Sequence, residues 1–88
     1  DDILAMGALD ACREHGTKVP ADIGILGFND IAMASWPAFD LSTIRQPISE
    51  IISAAVNQAI KLLADRHSVP LTTTLQCEVV LRRTLWNA

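Results

Sequence analysis

The residues Ile23 to Asp30, Ile-Gly-Ile-Leu-Gly-Phe-Asn-Asp, constrain the fold more than any other stretch of the chain. A short apolar run stops at Gly27 and an aromatic, and two polar side chains follow. Such an uninterrupted run reads as a strand of a parallel sheet, buried on both faces. In open sheets of that kind, ligands bind beyond the carboxyl ends of the strands, and Asn29 and Asp30 fall there. The same pair also suits an ordinary turn, since Asn and Asp bond their own backbone and tolerate left-handed geometry. The stretch alone leaves both readings open.

What flanks the run supplies an α/β context. Asp1 to His15 reads as a helix capped by Asp1 and stopped by Gly16. At about 100° per residue, Leu4, Ala5, Ala8, Leu9, Ala11 and Cys12 gather on one side, and Asp2, Asp10, Arg13 and Glu14 on the other. Ile3 and Met6 fall on that polar side, either as scattered surface residues or as half of a subunit contact. His15 suits the end of a helix. Val19-Pro20-Ala21-Asp22 connects into the strand, and Pro20 biases Val19 to extended geometry. A helix, a short loop and a buried strand make half of a βαβ unit whose other strand would precede Asp1. The chain opens at this helix start with no initiator Met, and so reads as a piece of a longer protein. The lack of a signal peptide then says little about compartment.

Ile31 to Asp40 reads as a loop or short irregular helix, with Trp36 as a lid on the core or an interface anchor. Leu41 to Gln46 reads as a second, shorter strand. Pro47 opens a helix to Asp65, with Ile48, Ile51, Ile52, Ala55, Ala59, Leu62 and Leu63 on one face and Ser49, Glu50, Ser53, Asn57, Gln58 and Lys61 on the other. Arg66 to Leu71 reads as a polar turn with Pro70 and a solvated His67. Thr72 to Thr84 then alternates as a last strand, and Leu85 to Ala88 forms a tail.

The 88 residues allow one small domain; half are hydrophobic and 19% are charged, the composition of a globular chain. The net charge of -3 with no basic run leaves no nucleic-acid footprint. No apolar run approaches the roughly 18 residues of a membrane span. Cys12 and Cys77 lie in apolar patterns and read as small buried hydrophobes, without the spacing of a zinc site. No nucleophile elbow, phosphate loop or usable carboxylate pair is present, so no catalytic residue, metal ligand or cofactor is assigned. Arg82-Arg83 fits a solvated strand end or an anion contact.

A binding geometry remains. Asp1 lies beyond the carboxyl end of the strand expected before it, and Asn29 beyond the end of the next. Neighbouring strands sit about 4.8 Å apart, so the two tips would meet. An Asp beside an Asn suits hydroxyl groups, which points to a sugar-like molecule.

The stretches Asp2-Ile3-Leu4-Ala5-Met6-Gly7-Ala8-Leu9, Val19-Pro20-Ala21-Asp22-Ile23, Gly27-Phe28-Asn29-Asp30, Leu41-Ser42-Thr43-Ile44-Arg45-Gln46-Pro47 and Leu81-Arg82-Arg83-Thr84 together resemble the LacI/GalR family of bacterial transcriptional regulators. The likeness runs in order over essentially the whole chain. It implies an α/β fold of the periplasmic-binding-protein type, in helix-strand-strand-helix-strand order, with residues 1–88 forming the C-terminal part of an effector-binding and dimerisation domain. The DNA-binding headpiece would lie outside this chain. The resemblance implies effector contacts at Asn29 and Asp1, where the family usually has Asn, and a dimer interface at Ile3, Met6 and Trp36. It puts subdomain crossovers at Gln46 and Pro47 and near Val79 to Arg82. The helix from Pro47 would belong to the absent subdomain and lack its partner. A cytoplasmic homodimeric repressor follows, with a sugar-like effector and operator DNA as partners and no membrane. A periplasmic or receptor-type sugar-binding protein is the alternative, and an α/β enzyme would need residues from the missing half.

Overall fold

The computed structural model describes residues 1–69 and 71–86. Its elements are α1 (Asp2–His15), a 3-10 turn (Ala32–Ser35), β1 (Thr43–Arg45), α2 (Ile48–Ala64) and β2 (Glu78–Val80). The chain divides into two compact units, parted between Gln46 and Pro47 and again between Cys77 and Glu78.

In the first unit, the Asp1 carboxylate accepts from the Leu4 N–H at 2.9 Å and caps α1. Gly16 ends the helix in the left-handed conformation at φ 70°. The buried face is not the one expected. Asp2, Ala5, Met6 and Leu9 turn inward, while Ile3 and Leu4 stay 59% and 74% exposed. Asp2 sets this rotation. Its carboxylate accepts from the Thr43 hydroxyl at 2.6 Å and from the Ile31 N–H at 2.8 Å, bonds that would be forfeited if the residue faced solvent. Met6 follows Asp2 by one helical turn and is carried into the core with it. It therefore presents little surface to a partner, contrary to its expected place on the polar face.

The core gathers Ala5, Met6, Leu9, Ala34 and Leu41, with Val19, Ile25, Ile31, Met33 and Phe39 packed against it. The run from Ile23 is extended but not a regular strand, and it buries one face rather than two. Ile23, Leu26 and Phe28 keep 40–47% exposure, while Gly27 is buried. The Gly27 and Asn29 N–H groups donate to the Ser42 and Ile44 carbonyls, the stepped register of a parallel pair. The carbonyls find mixed partners instead of a ladder: Ile25 accepts from the Thr84 hydroxyl and Phe28 from the Asp2 N–H. Gly27 is required by close approach, because a side chain there would run into the Asp2 carboxylate and Leu41. β1 pairs antiparallel with β2, Thr43 opposite Val80 and Arg45 opposite Glu78. Thr84 staples the layer, its hydroxyl accepting from the Ser42 N–H at 2.8 Å.

In the second unit, α2 runs from Pro47, which occupies the cap position and accepts from the Ile51 N–H. None of its residues is buried. Its half-covered stripe is Ala54, Gln58 and Leu62; Ile48, Ile51 and Ile52 of the apolar face, read from the sequence as lacking its partner, are exposed. The Gln58 carboxamide donates to the Leu71 carbonyl at 2.7 Å and to the Thr73 hydroxyl at 3.3 Å, tying the returning chain to that side. Among the described residues 71–77 form no strand; the Leu71 carbonyl is taken by the Gln58 side chain, and only Glu78–Val80 of the expected last strand pairs. Cys77 is exposed and Cys12 half-buried, so the expectation of two buried thiols fails. Pro70, in the expected turn, and Asn87 and Ala88, in the tail, lie outside the described residues. No helix among the described residues is long and apolar enough to cross a membrane.

Candidate functional site

The extended run delivers Asn29 and Asp30 at its carboxyl end, both with positive φ, 112° and 53°. Asn and Asp are the non-glycine residues that most readily take such angles. The Asn29 N–H is held by the Ile44 carbonyl and the Asp30 N–H by the Thr43 hydroxyl at 3.3 Å. Thr43 in turn is bonded to Asp2, so one buried carboxylate at the start of α1 orders the turn. The Asp2 N–H donates to the Phe28 carbonyl at 3.2 Å, which brings the start of α1 beside the Asn29 tip. Asp1 thus opens its helix next to Asn29, although its carboxylate is spent on the helix cap.

Two side-chain pairs join the turn to the end of β1. The Gln46 carboxamide donates to Asn29 Oδ1 at 2.6 Å. One residue back, Arg45 donates from Nε to Asp30 Oδ2 at 2.8 Å, and its Nη2 lies 2.8 Å from the same oxygen. Arg82, following β2, donates to Asp30 Oδ1 at 2.9 Å and to the Leu41 carbonyl. Glu78 on β2 adds a looser 3.3 Å pair to Arg45. Burial pushes the Asp30 carboxyl up, but the hydrogen bonds and charges of Arg82 and Arg45 together outweigh it and hold it below the ordinary 3.8. The Asp30 hydrogen bond and charge raise the Arg45 guanidinium in turn.

The tip thus offers two exchangeable carboxamide faces, Asn29 and Gln46, beside a closed ion-pair cluster. Carboxamides present donors and acceptors together, the repertoire that hydroxyl groups require. Among the described residues no group of His, Cys, Asp or Glu converges as metal ligands would. Of the other residues singled out by sequence, Ile3 and Trp36 are exposed, Met6 is buried, and Pro47 begins the second unit. Arg83 pairs with Asp40 at 3.1 Å as an exposed residue. Sequence reasoning missed Asp2, Asp30, Arg45 and Arg82 as a set. Their partners lie 15 to 52 residues apart, a separation that no local spacing encodes.

In α/β sheets, polar side chains beyond the strand ends lie where ligands usually bind. The family model for the periplasmic binding protein-like domain matches residues 1–85. The chain is 35% identical over 92% of its length to an uncharacterized HTH-type transcriptional regulator of Streptomyces limosus, covering 23% of that protein. It is 31% identical over 98% of its length to the ribose operon repressor of Haemophilus influenzae, covering 26% of it. A LacI-family transcriptional regulator from an Arthrobacter species, solved in complex with lactose, superposes with a TM-score of 0.79 at 30% identity, over 98% of this chain and 33% of that one. The chain therefore belongs to the periplasmic binding protein-like domain family, in the form carried by LacI/GalR-family regulators. It spans about a quarter of the length of these curated relatives.

Proposed function

We propose that this chain is part of the effector-binding domain of a transcriptional repressor that responds to a small sugar-like molecule. The pairing of Asn29 with Gln46 at the strand tips carries the reading. It holds two carboxamides where ligands bind in sheets of this kind, immediately before the chain leaves the first unit at Pro47. Relatives named for a ribose operon and solved with lactose support a sugar as the ligand class. Asn29 contacts effector hydroxyls, with Asp1 beside it. Gln46 and Pro47 form the crossover through which occupancy changes the protein's state, and a ligand shifts that equilibrium only by its differential affinity for the two states. The exposed Ile3 and Trp36 contribute to a homodimer interface, with Met6 supporting it from beneath. Operator DNA is bound by a headpiece elsewhere in the full-length, cytoplasmic protein. As a regulator, the protein performs no chemistry on its effector.

Replacing Asn29 with Ala in the full-length protein tests the reading. Sugar-dependent release from operator DNA should be lost, with the sedimentation profile unchanged. An Asn29→Ala protein that releases DNA at wild-type sugar concentrations overturns the assignment.

A further inference from the structure

Asp30 sits between two guanidiniums that converge on it from different elements, Arg45 from the end of β1 and Arg82 from beyond β2. Its side chain is 11% exposed and that of Arg82 15%, whereas Arg45 keeps 49%. The other charged groups at this place are Glu78 on β2, against Arg45, and Asp2 on α1, reached through Thr43. Two fixed cations aimed at one spot are the usual recognition element for a phosphate or carboxylate. Here the protein supplies the anion itself. One residue along in each segment, Asn29 and Gln46 hold the neutral carboxamide pair.

We propose that Asp30 is a specificity-determining residue, an internal anion that occupies Arg45 and Arg82 and denies them to a ligand, so that the neighbouring tip takes neutral hydroxylated molecules in preference to phosphorylated or acidic ones. The ligand side of this statement rests on the reading of Asn29 above. The occupancy of the guanidiniums stands on its own geometry. Removing the Asp30 charge converts the same spot into an anion site, with the guanidiniums already aimed.

Inorganic sulfate is the probe, because it carries two charges over the working pH range and needs no knowledge of the natural effector. Sodium sulfate is titrated calorimetrically, at fixed ionic strength, into the full-length wild type, Asp30→Glu and Asp30→Asn. The wild type and Asp30→Glu should show no saturable binding. Asp30→Asn should bind at least about tenfold more tightly than either, as the gain of a charge-assisted pair implies. Asp30→Asn combined with Arg82→Gln guards against a folding failure, since it removes the half-buried cation left alone; Arg45 should then give a weaker sulfate response. Wild-type protein that binds sulfate as tightly as Asp30→Asn overturns the proposal. So does an absence of any gain in the folded variants. Lactose and ribose are titrated in parallel. A wild type that binds neither overturns the ligand reading of Asn29, and the sulfate comparison still decides the role of Asp30.

Discussion

Two buried or half-buried carboxylates do most of the organising at the scale of single residues. Asp2 holds the Thr43 hydroxyl and the Ile31 N–H, and no apolar replacement can satisfy either donor. Asp2→Ala should therefore lower the stability of the full-length protein by roughly 2–4 kcal/mol, read as a fall in urea midpoint at unchanged slope. Asp30 titrates below its ordinary 3.8 when folded. As pH falls, the unfolded chain takes up this proton first, so the stabilisation from its ion pairs is complete above that value and drains away as pH drops through the folded one. Urea midpoints measured from pH 6 down to pH 3 should fall more steeply for the wild type than for Asp30→Asn, which lacks the group. Parallel profiles would contradict this.

At the scale of elements, α1 and α2 show where sequence reading works and where it stops. The cap at Asp1, the stop at Gly16 and the extent of both helices were legible, because caps and periodicity act locally. Which face α1 buries was not. In α1 the rotation follows from Asp2 bonding to residues 29 and 41 positions away. In α2 no residue is buried, and Gln58 bonds the returning backbone. The run at Ile23 was legible as extended and as leading to a polar tip. Its missing ladder was not, since regular pairing depends on neighbours rather than on composition. The isoleucine face of α2 makes a prediction of its own. Ile52 is 57% exposed, yet the relatives are about four times longer than this chain, leaving ample polypeptide to cover that face. Ile52→Lys should then destabilise the full-length protein by roughly 2 kcal/mol or more, whereas Glu50→Lys should change little; equal and negligible effects would show that the face stays in water.

Across the whole molecule, the polar tip and the first boundary between the units are adjacent in the chain at Gln46 and Pro47. Asn29 and Gln46 are bonded to each other, and the next residue after Gln46 belongs to the second unit. The place of Asn29 at the end of an extended run was legible, because it closes an apolar stretch. Its partner Gln46 gained a role in the sequence only through resemblance, and Asp30 and Arg82 were singled out separately but not as partners, since they lie 52 residues apart. The most direct test follows the side-chain amide resonances of Asn29 and Gln46 in the full-length protein during titration with lactose and with ribose. For a sugar that binds, both pairs of resonances should shift and saturate together at the same concentration, while the Gln58 amide stays still. Saturable sugar binding that leaves the Asn29 and Gln46 amides unmoved would place the ligand elsewhere and contradict the account.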